Sequence, residues 1–86
     1  MKMNYKIEIL PLADYFVVAV KDKDTAELKE SFTLNESGAD MLKLFCQNKD
    51  VATVSSEMSD IYDIPLDVIR KDVEKFAENL MKKGLM

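Results

Sequence analysis

The sequence predicts an α+β domain: a three-stranded antiparallel sheet followed by three helices, in a winged helix-turn-helix-like arrangement. Three observations carry this. Apolar residues alternate with polar ones up to Leu34. Beyond it they recur at helical spacing. Between the two regimes stands Asn35-Glu36-Ser37-Gly38, a helix-opening signal, so the strands come first and the helices after.

The first strand covers Tyr5 to Leu10, with Tyr5, Ile7 and Ile9 on one side and Lys6 and Glu8 on the other. Pro11 ends it or places it at a sheet edge. Tyr15 to Lys21 is the strongest strand, aromatic or β-branched at most positions. Phe16, Val18 and Val20 share one face and Tyr15, Val17 and Ala19 the other; two apolar faces predict a central strand. Asp22-Lys23-Asp24-Thr25-Ala26 has no glycine and predicts a longer hairpin loop. The third strand spans Glu27 to Leu34, with Leu28, Phe32 and Leu34 facing one way and Lys29, Ser31 and Thr33 the other. Glu30 falls on the apolar side, a device that blunts exposed edges, so this is read as an edge strand with an incompletely covered face.

Asn35 suits an N-cap, its side-chain oxygen accepting from free amides of the first turn. Gly38, Met41, Leu42 and Phe45 make the inner face of a helix ending near Gln47. Asp50 caps a second helix with Val51, Val54, Met58, Ile61 and Tyr62 inward and Ser55, Ser56, Glu57 and Asp60 outward. Pro65 begins the third helix, which runs to about Lys83. Its seam is Ile69, Val73, Phe76 and Leu80, widened by Leu66 and Ala77. Gly84 stands where a left-handed cap belongs, and Leu85-Met86 can fold back onto the core.

Eighty-six residues, 48% hydrophobic and 33% charged, make one soluble globular domain, residues 1–86. The start, Met1-Lys2-Met3-Asn4-Tyr5-Lys6, is too polar for a signal peptide, and no apolar run could span a membrane. With a single cysteine, the composition fits the cytoplasm. Asn35-Glu36-Ser37 is then a chance sequon. The net charge of −4 disfavours nucleic acid. Only residues 65–86 exceed neutrality, with five basic groups against four acidic. As a DNA-reading helix that segment would set Asp67, Asp72, Glu74 and Glu78 among its cations, against the phosphates.

Catalysis finds no support either. Histidine is absent, which removes the commonest general base and metal ligand. Cys46 lacks an activating partner and reads as a small, partly buried thiol. There is no glycine-rich phosphate loop, nucleophile elbow or CxxC pair. The sequence therefore predicts no enzyme, no metal and no cofactor. The third-strand edge is the strongest binding candidate, since an exposed edge accepts an extended peptide as an added strand. Two flanks of the third helix could wall such a groove: Val68, Asp72, Lys75 and Asn79, or Arg70, Glu74 and Met81.

From Phe32 onward the chain resembles the PqqD family, also called the RiPP recognition element. The resemblance rests on Leu34-Asn35-Glu36 with Met41 and Phe45, then Val51, Val54 and Met58. Tyr62-Asp63-Ile64, Ile69, Asp72-Val73, Phe76, Leu80 and Gly84-Leu85-Met86 continue it. Gln47-Asn48 departs from it, standing where members often carry an acidic residue and glycine. The resemblance implies a non-catalytic peptide chaperone. Such a protein binds the leader of a ribosomally made precursor peptide as an extra strand and presents it to a modifying enzyme, often a radical S-adenosylmethionine (radical SAM) enzyme. Carried over, the peptide edge is Leu28, Lys29, Glu30, Ser31, Phe32 and Thr33, and the helix wall includes Val68, Lys71, Asp72 and Lys75. Lys71 or Lys75 would meet an acidic leader residue. Two rival readings stand beside it: a winged-helix DNA-binding protein, and a structural module using the same edge to form a homodimer.

Overall fold

The computed structural model describes residues 2–86; Met1, part of the polar start, lies outside them. The chain order is β1 (Lys6–Leu12), β2 (Tyr15–Lys21), β3 (Leu28–Leu34), α1 (Glu36–Cys46), α2 (Val51–Tyr62) and α3 (Leu66–Lys82). The strands form one antiparallel sheet in the order β1-β2-β3, so β2 is central and β3 an edge, as the residue pattern predicts. Among the described residues no helix is long and apolar enough to cross a membrane.

β1 continues through Pro11 to Leu12, past its expected end, and only Ala13 and Asp14 connect it to Tyr15. No Asn-Gly or Asp-Gly announces this turn; Ala13 takes the left-handed conformation itself, with φ 54°. Asp22 organises the longer β2–β3 loop: its carboxylate accepts from the backbone amides of Asp24 (2.9 Å) and Thr25 (3.0 Å). Those bonds hold its pKa below the usual value.

The helices cover the sheet face carrying Val18 and Val20, both fully buried. Ile7 and Ile9 of β1 sit opposite them and pack against the same core. The other face leaves Leu10, Leu12 and Tyr15 exposed. Asn35 caps α1 by accepting from the Gly38 amide at 2.8 Å, and Asp50 caps α2 by accepting from Thr53 at 2.8 Å. Gly38, Met41, Leu42 and Phe45 are buried as expected, and Phe45 stacks on Phe76 of α3 at 6.3 Å between ring centroids. Asn48 joins α1 to α2 at φ 64°, a conformation that glycine adopts freely and asparagine tolerates. Its departure from the family pattern therefore leaves the backbone path intact.

Four expectations change. Ser55 is fully buried rather than outward, and its hydroxyl has no hydrogen-bond partner among the described residues. Ile61 and Leu66, expected on core faces, are 57% and 49% exposed, because the packed arc of each helix is narrower than its apolar stripe. Cys46 is more exposed than expected at the end of α1, though its thiol stays partly desolvated. Met3, assigned no place in the core from the sequence, is buried as well.

Met3 is held there by the chain's end. α3 closes with the Gly84 amide donating to the Met81 carbonyl and the Leu85 amide to the Leu80 carbonyl, both at 2.9 Å. Gly84 has φ 76°, the left-handed cap read from the sequence. Leu85 enters the core and its carbonyl accepts from the Asn4 amide at 2.7 Å.

Candidate functional site

The direction of the backbone groups along β3 follows from one hydrogen bond. The Asp22 amide donates to the Glu27 carbonyl at 2.9 Å, so Asp22 points its backbone toward β3. Antiparallel strands alternate this direction with period two, so Val20, Val18 and Phe16 point the same way. Their partners Glu30, Phe32 and Leu34 turn their own backbone groups back toward β2. Ser31 and Thr33, opposite Ala19 and Val17, therefore aim N–H and C=O at the free edge. The same parity aims Ile7, Ile9 and Pro11 outward at the β1 edge. There Pro11 supplies no donor, which blunts β1 and leaves β3 the better-equipped edge.

The side chains of β3 divide accordingly. Phe32 and Leu34 face the helices, while Ser31 and Thr33 lie on the outer sheet face. Beside the edge runs a groove of about 320 Å³, walled by Phe32 and Leu34 on the strand and by Phe76, Asn79, Leu80 and Lys83 on α3. It continues into a second hollow of about 250 Å³ that shares Phe76 and Asn79 and adds Asp72 and Lys75. Asn35, Ser37 and Gly38 of the α1 start, with Met41, close its far wall. The contacts show that α3 runs antiparallel to β3, its C-terminal end beside Glu30.

This arrangement chooses between the two flanks of α3. Asp72, Lys75 and Asn79 line the trough, whereas Arg70, Glu74 and Met81 lie on the far side with Val51 of α2. Of the residues expected from sequence, Phe32, Thr33, Asp72 and Lys75 line the trough and Ser31 presents its backbone at the rim. Lys29 and Glu30 line an adjoining hollow of about 120 Å³, together with Lys83. Val68 and Lys71 are exposed and line neither part of the trough. Leu28 also departs from expectation. A register shift at Val20/Lys21 sets it opposite Lys21, off the face of Phe32 and Leu34, and leaves it 56% exposed.

Asn79 belonged to the first of the two candidate flanks, but the sequence reading did not assign Phe76, Leu80 and Lys83 to the wall. Phe76 and Leu80 carried a signal, as members of the apolar seam. Phe76 is only half-buried because the core takes Ile69, Val73, Ala77 and Leu80 instead, rotating Phe76 toward β3.

The trough mixes apolar surface with balanced charge. Lys83 lies over the Phe32 ring, its Nζ 4.8 Å from the centroid, and 4.0 Å from a Glu30 carboxylate oxygen. On the outer flank of α3, Arg70 and Lys82 pair with Glu74 and Glu78 one turn away. Among the described residues no group of three or more His, Cys, Asp or Glu side chains is placed to hold a metal ion. Desolvation raises the Cys46 thiol above its ordinary pKa, so little thiolate is present at neutral pH. Tyr62 donates to Asp40 at 2.5 Å. Desolvation, that bond and the nearby Asp40 and Glu36 charges push its pKa up to about 12.

No curated protein matches the chain. Among solved structures, TbiB1 in complex with the TbiA(beta) leader peptide shares the fold, with a TM-score of 0.72 and 19% identity over 99% of this chain and 93% of that one. The family model for coenzyme PQQ synthesis protein D (PqqD) matches residues 17–86, reaching back beyond Phe32 into β2. With its sheet edge, helical wall and closing Gly84-Leu85-Met86 all inside that span, the chain belongs to the PqqD family.

Proposed function

We propose that this protein is a non-catalytic recognition element, one domain over residues 1–86, that binds the leader of a ribosomally made precursor peptide by strand addition to β3. The observation carrying this is the free edge at Ser31 and Thr33 lying directly beside the trough. Backbone pairing there supplies affinity, and the wall of Phe32, Phe76 and Leu80 supplies pockets for alternate side chains. The extended edge from Leu28 to Thr33 forms the docking strand, with Asp72 and Lys75 at one end of the wall. The similarity to a chain solved with a leader peptide supports the same reading. The bound leader is then presented to a peptide-modifying enzyme, such as a radical SAM enzyme, in the cytoplasm.

A tagged pull-down from the native host, read by mass spectrometry for both short peptides and proteins, tests this. Recovery of a small precursor with a modifying enzyme is the expected result. If the precursor is expressed and neither is recovered, while the protein self-associates, the edge serves homodimer pairing instead.

A further inference from the structure

We infer that the segment before β1, Met3-Asn4, is a strap that sets the width of the trough at its Lys83 end, with Asn4 as the positioning residue; this rests on the strand-addition reading above. The two ends of the trough are built differently. Toward Asp72 and Lys75, α1 supports the wall: Asn35, Ser37, Gly38 and Met41 line it, and Phe45 stacks on Phe76. Toward Lys83, no α1 residue among those described lines the trough. It lies open there between Phe32 and Leu34 on one side and Asn79, Leu80 and Lys83 on the other. Among the described residues no backbone hydrogen bond joins β3 to α3.

What ties the end of α3 to the sheet is the strap. The Asn4 backbone amide donates to the Leu85 carbonyl at 2.7 Å, and its side-chain amide donates to the Gly84 carbonyl at 3.2 Å. Behind Asn4, Met3 is buried in the core. Ahead of it, Tyr5 leads into β1, where Lys6 pairs with Lys21 of β2. On the helix side Leu85 is buried, and its amide donates to the Leu80 carbonyl. Tyr5 and Leu85 meet Glu30 and Lys83 around one hollow. Lys83, two residues before Leu85, lines both that hollow and the trough. The side-chain link across the same gap, Lys83 to Glu30 at 4.0 Å, is exposed and weak. Asn4 itself lines neither part of the trough, so it acts on a bound peptide only through α3.

Segments at chain ends open locally unless they are tied down. With the tie made, the last turn of α3 keeps a fixed distance from β3. With it broken, the strap and the helix end open together while the sheet and the α2–α3 packing stay in place. An added strand needs its wall at one spacing, so it binds the tied form. Its apparent affinity then scales with the fraction of molecules that are tied. The coupling is reciprocal: a bound peptide holds the strap closed. The strap is a latch whose closure and peptide binding reinforce each other.

The probe is a dodecapeptide selected from a random display library on the purified wild-type protein, its affinity measured by isothermal titration. Asn4→Pro removes the donor to Leu85, whereas Asn4→Ala keeps it and removes only the side-chain bond. Asp50→Ala removes the α2 cap, away from the trough, and controls for lost stability. All are compared at a temperature where thermal melts show each variant fully folded. Asn4→Pro should bind about three- to ten-fold more weakly than wild type, and Asn4→Ala and Asp50→Ala within about two-fold of it. In the wild type, added peptide should slow hydrogen exchange of the Asn4 amide but not that of Thr53 at the α2 cap. Wild-type affinity in a folded Asn4→Pro, or an equal loss in Asp50→Ala, overturns the inference while peptide binding stands. So does an Asn4 amide whose exchange ignores the peptide. Should Asn4→Pro not fold, that exchange measurement on the wild type decides alone. Failure of the wild type to enrich any peptide overturns strand addition and the role of the strap with it.

Discussion

Replacing Ser31 by proline separates strand addition from every other use of this surface. The Ser31 amide points away from β2, so proline removes no bond within the sheet, and edge strands accept it. The ring narrows φ around −65°, away from the strand optimum, so the fold should lose about 1 kcal/mol and melt roughly 4–8 °C lower. Binding loses more. One peptide carbonyl loses its donor, a net cost of about 1 kcal/mol. The ring also projects toward an added strand, which would lie about 4.8 Å away. Together these should weaken binding of the recovered leader at least about ten-fold, or about 1.4 kcal/mol. Ser31→Ala keeps the amide and should bind within about two-fold of wild type. The assay is isothermal titration of the leader, paired with amide hydrogen exchange by NMR. In the free protein, Phe32 and Leu34 amides should be protected and those of Ser31 and Thr33 should not. Peptide should protect Ser31 and Thr33 selectively. Wild-type affinity in a folded Ser31→Pro variant would refute the mechanism, as would protection that ignores the odd–even alternation.

Other expected outcomes follow from single observations. Ser55→Ala removes a buried hydroxyl with no partner among the described residues, so urea unfolding should show unchanged or higher stability, by about 1 kcal/mol. In an alkaline absorbance titration, one of the three tyrosines should ionise near pH 12, and Asp40→Asn should bring it back toward 10. Its folded pKa lies above the unfolded one, so the unfolded chain releases its proton first. The contribution of Tyr62 to stability is therefore complete below pH 10 and lost as pH climbs toward 12. Asn35→Ala removes the α1 cap and should cost about 1 kcal/mol.

Local chemistry made much of this molecule legible in one dimension. Two-residue alternation marked the strands, and β2, apolar on both faces, had to be central. Asn35 and Asp50 could be read as caps because their side chains act within three residues, and Gly84 because its backbone geometry suits few others. The edge character of β3 was also legible, since a carboxylate at Glu30 is costly anywhere more deeply covered. What local pattern does not encode is rotation and register. A bulge between Val20 and Lys21 moved Leu28 off the core-facing side, and no period-two pattern registers an extra residue. The α3 stripe was wider than the arc the core accepts, so only packing against Phe45 and α2 decided that Phe76 would turn toward the trough beside β3. The same rotation brought Asp72 and Lys75 to the trough and turned Lys71 away, while Val68, on the flank of Asp72, lies one turn nearer the start of the helix than the trough reaches. Lys83 lay furthest from view: its partners, Glu30 and Phe32, are more than fifty residues earlier. Only the antiparallel course of α3 along β3 brings them together.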